Sequence, residues 1–277
     1  MTTVALVGAG GKMGCRITDK MKEQQAYRVL HVEIGEAGIA NLARRAVSPV
    51  PAAEALPAAD CVVLAVPDNR VATISASLVP AMKPGALLVC LDPAAPCAGR
   101  VHLRPDVACF VTHPCHPPVF NDETDLEAKR DFFGGVKAKQ NIVCALLQGA
   151  EADYDRGVAL CRALFAPVMN AYRLTVEQMA ILEPALSETM AITFVSMMRE
   201  GMEEAIRRGV PREAAFDFLL GHINIGMAIV FEQLPGAVFS DAAQKAIANA
   251  RSRIFKPDWL NVFDKGEIAE SIQRITR

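Results

Sequence analysis

The run Thr3-Val-Ala-Leu-Val7, followed by Gly8-Ala-Gly10-Gly11-Lys12-Met13-Gly14, constrains this chain more than any other feature. A short β-rich segment stops at glycines and gives way to helical spacing from Met13 to Gln24. Glycine lets the backbone turn tightly and approach another group closely. The helix that opens there offers free N–H groups and the positive end of its dipole. Strand, glycine turn and helix in that order begin a βαβ unit suited to a dinucleotide pyrophosphate. The glycines read as Gly8, Gly11 and Gly14, or as Gly8 and Gly10 with a displaced third; the alternative is a purely structural tight turn. Gly8, Gly10, Gly11, Lys12, Met13 and Gly14 are the candidate cofactor-binding residues of this turn.

The alternation continues. Arg28–Glu33 reads as a second strand, and Cys61–Val66 is a continuous apolar run, as expected of a strand buried on both faces. Ala86–Leu91 and Ala108–Thr112 repeat that pattern, and Asn141–Leu147 and Pro167–Arg173 flank a predicted helix over Glu151–Phe165. Residues 1–173 are therefore expected to form a Rossmann-like α/β domain with a doubly wound, mostly parallel sheet. From Thr175, where Thr175 and Gln178 form a capping box, apolar residues fall at regular helical spacing to Arg208. A second helix is predicted from Arg212 to Gln233, so residues 174–277 read as an all-α domain. The uncharged stretch Phe218–Phe231 is too short to span a bilayer and reads as a buried helix. With the Met-rich stretch 189–202 it carries more apolar surface than such a domain hides alone, which predicts a homodimer through the helical domain.

The 29 basic and 31 acidic residues leave a net charge of −2. No basic footprint for nucleic acid or an anionic membrane surface emerges. The N-terminus lacks the features of a secretory signal. The eight cysteines form no CxxC pair and sit mostly in apolar runs, which predicts reduced thiols and a cytoplasmic protein.

Several polar residues stand where strands end. A carboxylate at Glu33 can bond both ribose hydroxyls and repel a 2′-phosphate, favouring NAD over NADP. Asp68, in Val-Pro-Asp, is placed to touch the nicotinamide ribose or to cap the next helix, and Asp92 has the same reading. His113-Pro-Cys-His116-Pro holds two of the five histidines on a proline-stiffened segment, fit for proton transfer or metal ligation. Cys115 is a further thiol there. Glu183 precedes Pro184 in an apolar helical face and needs a cation or metal as partner. Glu188, five residues on, points away from it on a regular helix. His222 and Asn224 interrupt the uncharged helix and read as satisfied buried groups or as pocket residues. Arg207, Arg208, Arg251 and Arg253 read as helix-surface charges or as a substrate-anion site. No lysine lies between Lys139 and Lys245, so proton chemistry falls to His, Glu or metal-bound water.

Taken together, GAGGKMG, Glu33, VPD at 66–68, LDPAA at 91–95, HPCHP at 113–117 and LEPALSE at 182–188 resemble the D-apionate oxidoisomerase family. That family has a phosphogluconate dehydrogenase-like C-terminal domain and is a distant relative of ketol-acid reductoisomerases. The resemblance implies NAD-linked oxidation of a branched sugar acid, D-apionate, to 3-oxo-isoapionate, with a carbon shift assisted by a divalent metal ion (Mg, Zn or Mn). By resemblance His113 and Glu183 would be the catalytic, metal-carrying residues. The missing lysine departs from the 6-phosphogluconate dehydrogenase pattern. A simple NAD-dependent dehydrogenase of another hydroxy acid and a non-catalytic NAD(H)-sensing module are the competing readings.

Overall fold

The computed structural model describes the whole chain, Met1–Arg277. Its strands are β1 (Thr2–Val7), β2 (Tyr27–Val32), β3 (Cys61–Leu64), β4 (Leu87–Cys90), β5 (Ala108–Pro114), β6 (Gln140–Gln148) and β7 (Val168–Arg173). They form one sheet in the order β2-β1-β3-β4-β5-β6-β7, parallel except where β6 runs against β5. This is the doubly wound sheet expected from the strand and helix signals. The intervening helices are α1 (Lys12–Met21), α2 (Glu36–Ala43), α3 (Ala52–Ala58), α4 (Asp68–Leu78), α5 (Ala94–Cys97), α6 (Leu126–Arg130) and α7 (Glu151–Leu164).

The continuous apolar strands bury both faces because successive side chains alternate sides. Val62, Leu64, Leu88, Cys109 and Val111 pack into one core with Leu56 of α3 and Val71 of α4. Val63, Leu87, Val89 and Phe110 pack into the other with Ile17 of α1 and Leu160 of α7. Phe110 is completely buried, which contributes about 1.5–3 kcal/mol. Gly157 on α7 lets that ring come close, since a Cβ there would lie 2.4 Å from Phe110 Cδ2. All eight cysteines are free, six of them buried.

The strand expected to end at Thr112 runs on to Pro114. His113 is therefore a strand residue, its backbone held extended by the prolines around it.

Beyond β7 come α8 (Val176–Ala180), a π-helix (Ile181–Ile192), α9 (Thr193–Arg207), α10 (Arg212–Val230), α11 (Asp241–Ile254) and α12 (Lys265–Ile275). The Thr175–Gln178 capping box forms, with Gln178 N–H donating to Thr175 Oγ1 at 3.2 Å and Thr175 N–H to Gln178 Oε1 at 2.9 Å. The regular helix expected through 208 is corrected over Ile181–Ile192, which winds as a π-helix. Pro184 has no N–H for an α-helical bond, and the Thr189 hydroxyl donates to the Pro184 carbonyl at 2.6 Å. With i→i+5 bonding, positions 183 and 188 share a face of this helix, where a regular helix would turn them apart.

The chain divides into two compact units, Met1–Glu183 with Ala269–Arg277, and Pro184–Ile268. The expected division lay at 173/174. It falls later because Val176 and Met179 of α8 are buried in the sheet core. The C-terminal residues return to the first unit, where Arg100 donates to the Thr276 carbonyl at 2.6 Å.

In the second unit Phe194, Phe255 and Trp259 cluster, with ring centroids 5.4–5.9 Å apart. Arg212 bridges α10 to Glu203 on α9 at 2.8 Å. The stretch Phe218–Phe231 is not buried, contrary to its apolar composition: Phe218 is 69% and Val230 60% exposed. Within one chain nothing covers this face. By length and composition alone α10 also passes as a membrane-crossing helix. His222 is exposed, stacks on Phe218 and bonds that residue's carbonyl at 2.7 Å, so it is a surface histidine satisfied by its own helix. Arg207 and Arg208 pair with Glu204 on the same helix.

Candidate active site

Strand order reverses at β1, whose neighbours β2 and β3 are entered from opposite sides. Such a switch point opens a crevice at the carboxyl ends of the strands. The glycine turn lies there. Gly8 has φ +77°, and its N–H donates to the Val32 carbonyl at 2.9 Å. A Cβ on Gly8 would meet the Ala65 carbonyl oxygen at 2.4 Å, and one on Gly14 would meet the Gly8 carbonyl oxygen at 2.1 Å. Both positions therefore require glycine. Gly11 precedes α1 with no side chain capping it, which leaves the first N–H groups of the helix available to an anion.

Two clefts flank this turn and share Gly11, Ala65, Val66 and Pro67. The first, about 480 Å³, is lined by Gly8, Glu33, Ile34 and apolar residues of α4. Glu33 is fixed by three backbone donors: Gly10 N–H to Oε2 at 3.0 Å, and Ile34 and Gly35 N–H to Oε1 at 2.9 Å each. Asn41 ties down the Gly10 carbonyl at 2.9 Å. The second cleft, about 360 Å³, is lined by Lys12, Met13, Asp68, Asp92 and His113. The shared residues make the two clefts contiguous, one on the Glu33 side of the glycine turn and one on the Asp68 side. Of the cofactor-binding residues singled out in the sequence, Gly8, Gly11, Lys12, Met13, Glu33 and Asp68 line these clefts, while Gly10 and Gly14 are buried behind them.

At the second cleft Asp92, His113 and Glu183 converge, each offering one ligand atom within 4.8 Å of the others. The sheet register accounts for two of them. Cys90 pairs with Val111 in the parallel β4–β5 ladder, so two residues further on Asp92 stands beside His113. Asp92 is steered by the Ala94 N–H, which donates to Oδ1 at 2.7 Å. Its Oδ2 lies 3.8 Å from His113 Nε2, and Glu183 Oε1 lies 3.8 Å from the same nitrogen. Those distances are too long for hydrogen bonds.

His113 Nδ1 is 2.9 Å from the Pro114 carbonyl, which can only accept, so Nδ1 carries the proton. Burial, helped by the neighbouring His116, pushes the imidazole pKa down to about 4, against the opposing bond to Pro114. The ring is neutral near pH 7, and a bare Nε2 lone pair faces two carboxylates. A cation among the three atoms resolves that repulsion, and the fixed tautomer is the one a metal ligand needs. Asp68 is pushed up to about 7 by burial and then by the charge of Asp92. A crowd of carboxyl groups that resist joint ionisation is the electrostatic mark of a cation site.

His116 and Cys115 stay outside the cluster. His116, at φ +61°, donates from Nδ1 to the Phe133 carbonyl at 2.9 Å. Cys115 is exposed. Asp92 is the residue that sequence reasoning assigned to the cofactor rather than to this cluster. Its signal was present: like His113, it sits at the carboxyl end of a continuous apolar strand.

The chain is 52% identical over 274 residues to a D-apionate oxidoisomerase from Cupriavidus necator, covering 99% of both chains. Residues 121–276 match the family model for the C-terminal region of decarboxylating phosphogluconate dehydrogenase. Among solved structures, a semialdehyde dehydrogenase NAD-binding protein from Cupriavidus necator, in complex with calcium and NAD, superposes with a TM-score of 0.96 at 51% identity over the whole of both chains. An NADH-preferring ketol-acid reductoisomerase from an uncultured archean shares the fold, with a TM-score of 0.69 at 19% identity over 99% of this chain and 82% of that one.

Proposed function

The chain belongs to the D-apionate oxidoisomerase family, and from that premise we propose that it oxidises D-apionate with NAD and rearranges it to 3-oxo-isoapionate, with a divalent cation held by Asp92, His113 and Glu183. The observation that carries the cation is the convergence of His113 Nε2 with two carboxylate oxygens, each 3.8 Å from it. Two carboxylates and one imidazole suit a hard or borderline ion such as Mg, Mn or Zn, and three protein ligands leave positions open for a polyol acid.

When bound, NAD supplies a hydride acceptor and the cation a Lewis acid for adjacent substrate oxygens. The protein's own part is to hold and orient. Gly8, Gly10, Gly11, Lys12, Met13 and Gly14 shape the pyrophosphate turn, and Glu33 receives the adenosine ribose. Asp68, whose carboxyl is pushed up by burial and then by Asp92, lines the same cleft and is the proposed partner for proton exchange with a substrate hydroxyl. Hydride leaves C2 of the acid, so C2 becomes a ketone beside the tertiary alcohol at C3. The hydroxymethyl group then moves from C3 to C2 with its bonding pair. C2 becomes the tertiary alcohol and C3 the ketone, and one proton is released overall.

A second copy of the chain is the proposed cover for the apolar face of α10, forming a homodimer through the helical unit. Free, mostly buried thiols fit a reducing cytoplasm. The test is turnover with NAD over a panel of branched and linear aldonates, with the product identified by NMR before and after chelation. NADH formation with a rearranged skeleton, lost on chelation and restored by metal, supports the reading. Oxidation without a carbon shift leaves a plain dehydrogenase. Replacing Glu33 by Ala should narrow the preference for NAD over NADP by about tenfold, read from paired kcat/KM values.

A further inference from the structure

We infer that the side chain of Lys12 is the carboxylate anchor of the substrate, and that Phe133 positions it. The inference rests on the reading that the substrate is a sugar acid. Such a substrate brings a negative charge to a cleft already rich in carboxyl groups. Asp68 and Asp92 line it, and Glu183 reaches the same histidine. A divalent cation offsets two of those charges and leaves nothing for the incoming anion. Lys12 is the one lysine or arginine side chain lining this cleft.

The ammonium group is held ready rather than engaged. Lys12 Nζ makes no ion pair with any carboxylate and lies 5.2 Å from the centroid of the Phe133 ring. A cation over a ring at an exposed site is held weakly, so a carboxylate can claim it. The ring itself is well fixed. The Arg16 guanidinium stacks on it at 3.7 Å, and the Phe133 carbonyl accepts the His116 bond. His116 in turn packs edge-on against His113, with centroids 6.1 Å apart. The support of the lysine is thus physically continuous with the histidine of the cation cluster. Backbone and side chain divide the work at residue 12. As the first residue of α1 it has a backbone N–H with no helical partner, while its ammonium lies over the Phe133 ring. The stretch without lysine between Lys139 and Lys245 leaves no competing lysine at the start of the helical region.

The test uses the full-length protein with K12M, K12R and F133L, and D-apionate beside its neutral primary amide. Three quantities are read: KM at saturating NAD, the Kd of NADH by its fluorescence, and calorimetric binding of D-apionate to the NADH-loaded protein. K12M should raise KM and the calorimetric Kd for D-apionate by about 10- to 100-fold, the usual worth of a charge-assisted bond. The preference for acid over amide should fall by the same factor, with NADH binding within about twofold. K12R should retain most of the acid preference, and F133L should raise KM less than K12M does. If K12M weakens NADH and leaves D-apionate binding unchanged, the lysine serves the pyrophosphate and the inference is overturned. Unchanged acid preference in a K12M protein that still binds NADH overturns it equally. If the native protein turns over no aldonate, the proposed function falls first and this role with it; an active native enzyme with an indifferent K12M loses only the lysine's role.

Discussion

Val62 and Val63 are adjacent on β3 and both are completely buried, one in each core of the first unit. On α10 of the second unit, Phe216, Phe218, Leu220, Ile225 and Val230 are all exposed, and only Ala215 is buried. The two regions are about equally apolar in sequence but not in what they can cover. A twisted parallel sheet has two faces and its crossover helices close both, so each apolar residue finds a partner within the chain. A set of helices without such a layer leaves a face open, and an exposed patch of this size marks an interaction site. The contrast teaches that the first unit closes its own core, whereas the second leaves an apolar face open, which the proposed homodimer would cover.

The largest expected effect tests whether the chemistry belongs to the sheet-bearing unit. His113→Ala, Glu183→Gln and Asp92→Asn should each lower turnover by more than about 100-fold and remove bound metal by elemental analysis. NADH affinity should stay within about twofold, because the glycine turn and Glu33 do not depend on them. Near-native activity in all three variants would break the assignment. Next in size, Phe218→Asp should raise the dimer dissociation constant by about 30-fold or more, read by light scattering across a dilution series. If the native protein is already a monomer at micromolar concentration, the contrast between the units has lost its second half.

Glycine sharpens the same contrast through stability. A Cβ at Gly157 strikes the Phe110 ring, whereas one at Gly201 on α9 meets nothing within 4 Å. Gly157→Ala should therefore cost about 1–3 kcal/mol, and Gly201→Ala should stabilise by about 0.5–1 kcal/mol, both from denaturant midpoints. Equal effects would mean that the two units are equally tightly packed.

The smallest effect is a pH dependence confined to the sheet. Lys83 bonds Asp60 at 2.5 Å, and that bond, then the Thr3 N–H, hold the Asp60 carboxyl below its usual value. A depressed folded pKa stabilises above the unfolded value near 4 and is lost as pH falls through the folded one. Replacing Lys83 by Met should lower stability by a few tenths of a kcal/mol at pH 7, and the difference should fade below about pH 4, read as Tm.

The strands were legible because their signal is local. CVVL, LLVC and ACFVT need only their own composition to be recognised as doubly buried. The glycine turn was legible for the same reason, since its meaning lies in the strand before it and the helix after it. The π-helix over Ile181–Ile192 was not, because its apolar residues also satisfy α-helical spacing. Pro184 announced a disturbance, and only the Thr189 bond to its carbonyl shows how the backbone absorbed it. The exposure of α10 is not legible in the sequence, because apolar composition signals burial without saying where the cover lies.

The sequence by itself determined the sheet-bearing unit, the dinucleotide turn, Glu33 at the end of β2, and the candidacy of His113 and Glu183. Each follows from residue type within a short window, where periodicity and backbone chemistry act directly. Tertiary structure alone decided that Asp92 joins those two residues. That meeting depends on Cys90 pairing with Val111 across neighbouring strands and on where the chain after β7 returns to the sheet. Register and crossover are settled by the packing of both cores at once, so no local window can report which distant side chains will face one another.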